Sequence, residues 1–318
     1  SMLRPASSGR ATRAYLMTHE TVTSDDALEA VAKQLEATGN FRVLRRAPAF
    51  PPMPQDMTGL KRGVVIDVET TGLDQKNDVI IQLAILPFAF DGQGRVVGAG
   101  TPFVGLEDPL QPIPAKVVRL TGLTDEAVFG LRLNDAEVEA AVGDPAIVIA
   151  HHAEFDRKFL ERRFRFFQHL PFGCSMTQVP WEEAGFEGAK LAYLMMGAGL
   201  FHDAHDAAGD CAAALTLLAP SLPGAGGTAL SHVLAAAAIP TYRFWAVGAL
   251  IGFKDVLKHR GYRWNAGEDG RPRAWYKDIA AADADAERKF LTTEIYQSDR
   301  VSPLITKIDA FSRFSGRA

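Results

Sequence analysis

The sequence predicts an α/β protein whose main domain is a mixed sheet flanked by helices, followed by a small α+β module. Residues 63–68 have the apolar pattern of a buried strand that ends in two acidic side chains. Two more strand patterns follow before any long helix, which is typical of a meander of hairpins. Residues 146–150 form a short apolar run leading directly into a basic helix, as in a strand buried on both faces.

The composition is typical of a soluble protein. The chain has 318 residues, 47% hydrophobic and 23% charged, enough for two domains with a sizeable core. It contains no apolar run of about 18 residues, and its first 20 residues lack the apolar core of a signal peptide. The two cysteines have no paired spacing. We therefore expect no membrane span, no disulfide framework and a cytoplasmic location.

Charge is distributed unevenly along the chain. The net charge is −4, yet residues 241–318 carry 14 Lys and Arg against 10 Asp and Glu, a balance of +4. The first 240 residues therefore have a balance of −8. This asymmetry favours an acidic, metal-binding body and a basic accessory segment.

Composition also divides the chain into five parts. Residues 1–22 are expected to be a flexible lead, and residues 23–59 a helix–strand segment with a Pro-rich linker. Residues 60–220 form the main domain. A Gly-, Pro- and Ser-rich linker over 221–240 leads to a basic, aromatic module over 241–318.

Within these parts, the patterns predict elements in a definite order. Ser24 is the expected N-cap of an amphipathic helix over 23–35. The other expected elements of the first 220 residues are strands over 41–46, 63–68, 79–90, 96–104 and 146–150, and helices over 115–120, 134–142, 156–167 and 204–218. The basic side chains of the helix over 156–167 are expected to form a solvated face.

Asp67 and Glu69 lie two residues apart at the end of the first strand. Residues i and i+2 of a strand point to the same face, about 6.6 Å apart. Two carboxylates in an apolar setting repel each other and lose hydration. A bound divalent cation turns that repulsion into attraction, and oxygen ligands suit Mg²⁺ or Mn²⁺.

Two later acidic residues are candidates for the same site. Asp156 follows the apolar strand over 146–150, and Asp210 lies in the helix after His205. An ideal helix would place His205 and Asp210 about 140° apart. They can share a site if His205 lies on the preceding loop and Asp206 caps the helix, and an exposed His205 then suits a general base. Each part also has an ordinary interpretation. Asp67 and Glu69 are then solvated acids at the end of a strand, Asp156 is a helix N-cap, and residues 202–210 are a polar loop and cap.

Three segments taken in order resemble a known family. "DVETTG", "AHHAEFDRKFL" and "HDAAGD" are similar to the three motifs of the DEDDh (DnaQ-like) 3′–5′ exonucleases, of the type found in proofreading subunits of DNA polymerase. "LTGLTDEAV" resembles the segment between the first two motifs. The resemblance covers about half of the chain and implies a ribonuclease-H-like mixed five-stranded sheet with flanking helices.

The resemblance also implies roles for matched positions. Two divalent cations, Mg²⁺ or Mn²⁺, would be held by four acids, and His205 would deprotonate the attacking water. Thr70, Thr71, Gly72 and His152 would lie beside the terminal nucleotide, and the product would be a nucleoside 5′-monophosphate. The four implied metal ligands, which are also the implied catalytic acids, are Asp67, Glu69, Asp156 and Asp210.

The sequence departs from the family pattern at one position. The second motif usually reads His-Asn, and here it reads His151-His152. His152 therefore leaves the orientation of the terminal nucleotide and the choice of sugar open. His151 is expected to support packing. Gln82, in the second strand, is expected at most to support the residues of the site without contacting metal or substrate itself.

The C-terminal module interleaves basic and aromatic residues. Residues 260–279 have the pattern of a hairpin around an Asn/Gly/Asp turn, and a helix is expected over 288–296. Aromatic side chains stack on bases and basic ones follow phosphates, which is typical of single-strand binding. The expected contact residues are Lys258, Arg263, Trp264 and Trp275. The alternative is that the tryptophans form the core of a small domain.

These inferences predict a metal-dependent 3′–5′ exonuclease acting on single-stranded DNA or RNA ends, with DNA favoured. Replication or repair proteins are the candidate partners. An RNA-directed exoribonuclease and a catalytically impaired nuclease fold that binds single strands are the first alternatives. An all-helical HD-type phosphohydrolase, indicated by His202-Asp203 and His205-Asp206, is the other.

Overall fold

The computed structural model describes residues 24–268, 270–298 and 300–318. The expected flexible lead over 1–22 lies outside the described residues. The chain divides into two compact units, Ser1–Leu44 and Arg45–Ala318. None of the helices in the described part of the chain is long and apolar enough to cross a bilayer.

The described part of the first unit contains helix α1, Asp25–Ala37. Ser24 caps it as predicted, because its hydroxyl accepts a hydrogen bond from the backbone N–H of Ala27. Asp25 and Asp26 occupy the first turn, where the helix dipole favours negative charge.

The second unit is built on a mixed six-stranded sheet. Its strands are β2 (Lys61–Thr70), β3 (Ile80–Phe90), β4 (Val96–Ala99), β5 (Phe103–Leu106), β6 (Ile147–Ala150) and β7 (Phe172–Cys174). The order is β4-β3-β2-β6-β7, with β5 also paired to β3. β2 runs antiparallel to β3 and parallel to β6, and β6 runs parallel to β7. The predicted mixed sheet is confirmed.

The sixth strand arises because residues 96–104 do not form one strand. β4 ends at Ala99 and β5 begins at Phe103, and both pair with β3 at different positions. Gly100 and Pro102 lie between them. Proline has no N–H to donate to a ladder, so the chain leaves the sheet here and returns to it.

Helices cover both faces of this sheet. The helices of the main domain are α2 (Ala115–Thr121), α3 (Asp125–Val128), α4 (Asp135–Val142), α5 (Ala153–Arg163), α6 (Leu191–Gly197) and α7 (Ala207–Leu218). Along β2, Val64, Ile66 and Val68 pack in the core that includes α5. Val65, on the opposite face, packs in the core that includes α7. A two-stranded parallel pair, β1 (Arg45–Arg46) with β8 (Leu200–Phe201), lies apart from the sheet.

Residues 221–240, interpreted from sequence as a linker, contain helix α8, Ala229–Ala238. Leu230 and Val233 are fully buried in the same core as α7. The Gly- and Ser-rich pattern reflects a turn and a cap instead of a flexible tether. The hydroxyl of Thr228 accepts from Ser231 N–H and donates to the carbonyl of Gly94.

The C-terminal residues form a second, antiparallel sheet of four strands in the order β10-β11-β9-β12. These strands are β9 (Thr241–Ala246), β10 (Arg263–Asn265), β11 (Ala274–Ala280) and β12 (Leu304–Ile308). The predicted hairpin is present, with Trp264 opposite Trp275. α9 (Lys254–His259) and α10 (Ala284–Phe290) accompany the sheet, and a π-helical turn over Leu291–Ile295 extends α10.

The last residues of the chain fasten this second sheet to the main domain. Arg157 of α5 is fully buried and donates hydrogen bonds to the carbonyls of Ala310, Phe311 and Arg313 at 2.6–2.9 Å. Its Nε also donates to Glu161 at 2.7 Å. The expected solvated face of this helix is therefore wrong for Arg157, because a segment about 150 residues later covers it.

We expect Arg157→Ala to lower the free energy of unfolding by about 3–5 kcal/mol, since it leaves several carbonyls without their donor and removes one of the two arginines paired with the buried Glu161. Urea unfolding measures this change. Arg165→Ala removes an exposed arginine two residues beyond the end of α5 and should change stability by less than about 0.5 kcal/mol. Equal midpoints for the two variants would contradict the fastening role of Arg157.

Candidate active site

The site begins at the carboxyl end of β2. Asp67 and Glu69 share the face of Val65, which looks toward α7, because side chains alternate along a strand. Both are half-buried. The pairing with β3 shifts between Glu69 and Thr70, so the strand is irregular immediately after the two acids.

The second acidic position comes from α5. The helix begins at Ala153, with His152 at the cap position, so Asp156 lies in the first turn and is not the cap. Asp156 is only 3% exposed, and its Oδ1 accepts a hydrogen bond from Val68 N–H at 3.3 Å. This bond ties the helix to the strand between the two acids of β2.

The third position comes from α7. Asp206 caps the helix by accepting from Gly209 N–H, which places Asp210 in the first turn. Asp210 is bonded through both oxygens: Oδ1 lies 2.8 Å from His202 Nε2, and Oδ2 accepts from His205 N–H at 3.1 Å. His205 is exposed on the preceding loop in a left-handed conformation, with φ of 65°. This geometry satisfies the condition under which His205 and Asp210 can share a site.

One open groove of about 760 Å³ brings these side chains together. All five predicted catalytic residues line it, together with His152. The remaining lining residues are Val68, Leu73, His151, Phe155, Lys190, Leu191, Ala192, His202 and Ala204.

The carboxylates of the groove destabilise one another's ionised forms. Burial, followed by the charges of Asp156 and Asp210, raises the pKa of Asp67 well above its usual range. Burial and the charge of Asp210 raise the pKa of Glu69 to about 7. Burial also raises the pKa of Asp156 to about 7, and raises the pKa of Asp210 despite its bond to His202. The surroundings of the groove therefore do not stabilise all four carboxylates in their ionised forms.

This arrangement fits divalent cations. Ligand atoms of Glu69, His205 and Asp210 lie within 4.8 Å of one another. Among the described residues, no lysine or arginine forms an ion pair with Asp67, Glu69 or Asp156. Oxygen-rich donors without a counter-charge are the ligand set that Mg²⁺ and Mn²⁺ prefer.

The predicted nucleotide-binding residues differ in their placement. His152 lines the groove and stacks on Phe155 with ring centroids 6.0 Å apart. Thr70, Thr71 and Gly72 are not among the lining residues. Thr70 Oγ1 donates to the carbonyl of Gly72, and Thr71, which is 3% exposed, donates to Asp78.

Gly72 has a steric reason to be glycine. A Cβ atom there would lie 2.4 Å from an oxygen of Asp78. The three residues of this turn therefore shape the loop, and Leu73 is the residue that reaches the groove wall.

One histidine and one glutamine have supporting positions. His151 is held by Ser175 Oγ at 2.9 Å and by the carbonyl of Ala189 at 2.7 Å, and burial lowers its pKa to about 4. Gln82 accepts a hydrogen bond from Ala207 N–H at the start of α7. It thereby holds the helix that carries Asp210.

Sequence reasoning gave no role in this site to His202, Lys190 or Phe155. His202, considered only for the all-helical alternative, bonds directly to Asp210. Lys190 and Phe155 line the groove without belonging to a catalytic pattern. Phe155 adjoins Asp156 in the second motif, which was the one available signal. The all-helical alternative is wrong, because two of the acids come from a strand of a six-stranded sheet.

The predicted contact residues of the C-terminal module lie outside the groove. Lys258, Arg263 and Trp264 are exposed, with Trp264 50% exposed. Trp275 is half-buried against the module's core, edge-on to Trp264 at 5.6 Å. Trp245, by contrast, is 2% exposed. The module therefore uses its tryptophans partly as core and partly as surface.

A comparison with protein families identifies the domain that holds the groove. The exonuclease family model, RNase_T, matches residues 64–218. This segment belongs to the exonuclease family. The match confirms the resemblance to DEDDh exonucleases and the ribonuclease-H-like class of the fold. The matched segment contains all five predicted catalytic residues.

Curated relatives are DNA polymerases III of the PolC type. The protein of Halalkalibacterium halodurans is 36% identical over 107 residues, which is 32% of this chain and 7% of the relative. That of Staphylococcus haemolyticus is 32% identical over 139 residues, 41% of this chain and 9% of the relative. The matched segments thus span less than a tenth of these relatives.

Solved structures with a similar backbone include two exonucleases bound to DNA. Exonuclease X in complex with 5′ overhanging duplex DNA is 23% identical, with a TM-score of 0.36, over 48% of this chain and 89% of that one. Exonuclease I of E. coli with a dA16 oligonucleotide is 15% identical, with a TM-score of 0.43, over 69% of this chain and 63% of that one.

The electrostatics of the groove predict how pH changes the stability of the metal-free exonuclease domain. Because Glu69 and Asp156 have pKa values of about 7 in the folded protein, folding takes up protons as pH falls through 7. Their ionised forms destabilise the fold above pH 7, and the protein becomes more stable toward pH 5.5. We expect Asp156→Asn to flatten this dependence and to raise stability at pH 8.5 on the order of 2 kcal/mol.

Urea unfolding in EDTA at pH 5.5, 7.0 and 8.5 measures both effects, and added Mn²⁺ should reduce the dependence in the wild-type protein. Asp144→Asn is the control, since that aspartate is exposed and does not line the groove. A wild-type protein that is more stable at pH 8.5 than at pH 5.5, with Asp156→Asn less stable than wild type at pH 8.5, would contradict the electrostatic account.

Proposed function

We propose that this chain is a divalent-metal-dependent 3′–5′ exonuclease that removes nucleoside 5′-monophosphates from single-stranded ends, with DNA favoured over RNA. The observation that carries the proposal is the convergence of four carboxylates in the groove of an exonuclease domain, none of which pairs with a lysine or arginine in the described part of the chain. Such a site is unfavourable without cations and suited to phosphodiester hydrolysis with them.

In this proposal the metal ligands are Asp67, Glu69, Asp156 and Asp210. Two ions, Mg²⁺ or Mn²⁺, would supply positive charge beside the scissile phosphate when bound. The bond from Val68 N–H to Asp156 and the bond from Gln82 to the start of α7 keep the carboxylates in position. The carboxylates are therefore already in position to hold the ions before the substrate binds.

His205 is the proposed general base. Its imidazole is exposed to the groove, and one of its nitrogens lies within 4.8 Å of the ligand oxygens of Glu69 and Asp210. It would take a proton from the attacking water, whose oxygen would form a new bond to phosphorus. The bond between phosphorus and the 3′ oxygen of the preceding nucleotide would break, and that oxygen would take a proton from solvent to leave as a 3′-hydroxyl. The hydrogen bond from His205 N–H to Asp210 orients the loop that carries this ring.

The walls of the groove suit a nucleotide. Leu73, Phe155 and Leu191 offer apolar surface for a base or sugar, and His152 extends that surface by stacking on Phe155. Lys190 offers positive charge for a phosphate. This combination is typical of single-strand binding.

The relatives favour DNA as the substrate, since they are named as DNA polymerases. Replication or repair proteins are therefore the proposed partners, and the cytoplasm the proposed location. A second candidate function is binding of single strands without turnover. His152 favours it, because this ring occupies the groove where the family pattern has a smaller asparagine.

We expect Asp67→Ala and His205→Ala each to reduce turnover strongly, His205→Ala by about 10²–10⁴-fold, because the loss of a general base has that effect. The assay follows 5′-labelled single-stranded DNA and matching RNA on a gel with Mn²⁺, Mg²⁺ or EDTA. His169→Ala, which removes an exposed histidine that does not line the groove, is the matched control.

The expected product is a ladder that shortens from the 3′ end and disappears with EDTA. Near-normal rates for either site variant would contradict the assignment of roles. Tight binding of the strand with no shortening in either metal would favour the binding function.

We also expect Trp264→Ala to weaken single-strand affinity by about 1–3 kcal/mol, because an exposed indole can stack on a base. Fluorescence anisotropy in EDTA measures the affinity. Ile251→Ala, which removes an 85% exposed side chain of the same module, is the control. Lys258→Ala added to Trp264→Ala should increase the loss, and a loss of folding in the pair would favour the core role instead.

A further inference from the structure

A second cavity lies between α5 and the C-terminal sheet. It has a volume of about 280 Å³. Since a water molecule takes roughly 30 Å³ of the liquid, it has room for a phosphate group. Glu154 and Lys158 of α5 form one wall, and Arg243, Arg263 and Tyr276 of the C-terminal sheet form another.

The lining of this cavity is strongly basic. It includes five basic residues and two acidic ones. Both acids are paired within the cavity, Glu154 with Lys158 at 3.3 Å and Asp278 with Arg243 at 2.6 Å. The basic residues are Lys158, Arg243, Arg263, Arg271 and Arg313.

The partners of these arginines leave positive charge in the lining. Arg313 donates to the neutral carbonyls of Ala236 and Ile239, and Arg263 lies over the ring of Tyr276 at 5.0 Å. Arg243 is 8% exposed, and its Nη1 is a buried side-chain nitrogen without a hydrogen-bond partner in the described part of the chain. A carbonyl or a ring orients a guanidinium without neutralising it.

The cavity adjoins the catalytic groove through one helix. Glu154 and Lys158 line the cavity, whereas Phe155 and Asp156 line the groove. The first two turns of α5 therefore separate the two sites. A strand whose 3′ end lies in the groove can cross this helix and place an upstream phosphate in the cavity.

We propose that this cavity binds a backbone phosphate of the single-stranded nucleic acid upstream of the scissile bond. Lys158 and Arg263 are the contacting residues, and Arg243, whose charge is paired with Asp278, has behind them an Nη1 donor without a partner among the described residues. The proposal rests on the proposed exonuclease function for its direction, since the 3′ end is taken to lie in the groove. Phosphate contacts of this kind contribute affinity without reading sequence.

The test is the double variant Lys158→Ala with Arg263→Ala, measured by anisotropy with a 5′-fluorescein thymidine 20-mer in EDTA at several salt concentrations. We expect affinity at low salt to fall about tenfold, and the slope of log affinity against log salt to shrink by about 0.7 for each phosphate that the protein no longer neutralises. Arg288→Ala with Lys289→Ala removes the same charge from an exposed part of the same module and is the matched control.

Three outcomes decide the proposal. A lower affinity and a smaller slope in the cavity variant, but not in the control, would support it. An unchanged affinity and slope would overturn it. Equal losses in both double variants would overturn it as well, since the effect would then belong to the overall charge of the module.

Turnover separates this proposal from the proposed function. The cavity variant should lose more kcat/KM on a 20-mer than on a dinucleotide, because a dinucleotide does not extend beyond the groove. Equal losses on both substrates would contradict the cavity as an upstream subsite. If the wild-type protein degrades neither substrate, the exonuclease function fails, and the binding measurement in EDTA still decides whether the cavity holds the strand.

Discussion

Mutual repulsion among four carboxylates is the constraint on which the rest of the structure depends. Asp67 and Glu69 come from one strand, and two separate helices bring Asp156 and Asp210 toward them. The fold stabilises this arrangement with bonds to the backbone: Val68 N–H donates to Asp156, and His205 N–H donates to Asp210. These bonds hold the carboxylates in position, but they do not neutralise them, which leaves the site suited to cations.

Helix α5 connects the main features of the second unit. Phe155 and Asp156 line the groove, Lys158 lines the basic cavity, and Arg157 reaches the C-terminal segment. Consecutive residues of a helix point about 100° apart, so one short helix can place neighbouring side chains in three different environments. The position of Asp156, a proposed metal ligand, is therefore coupled to the packing of the C-terminal sheet.

Much of the exonuclease domain could be predicted from sequence, because its signals are local. Alternation along β2 placed both acids on one face, and cap chemistry identified Ser24 and Asp206. The sequence did not identify the partners of Arg157, since helical spacing cannot indicate that a segment about 150 residues away covers the side chain. The same limit applies to α8, whose apolar face follows a Gly-rich turn, and to the hydroxyls of Thr70 and Thr71, which bond within their own loop.

Calorimetric titration of the metal-free protein with Mn²⁺ at pH 7, in two buffers of different ionisation enthalpy, tests the central claim most directly. Because Glu69 and Asp156 have pKa values of about 7, they are partly protonated at this pH and must release protons when cations bind. The account predicts binding of two ions with proton release, and a loss of both in Asp67→Asn. Absence of Mn²⁺ binding, or equal binding by the wild-type protein and Asp67→Asn, would contradict it.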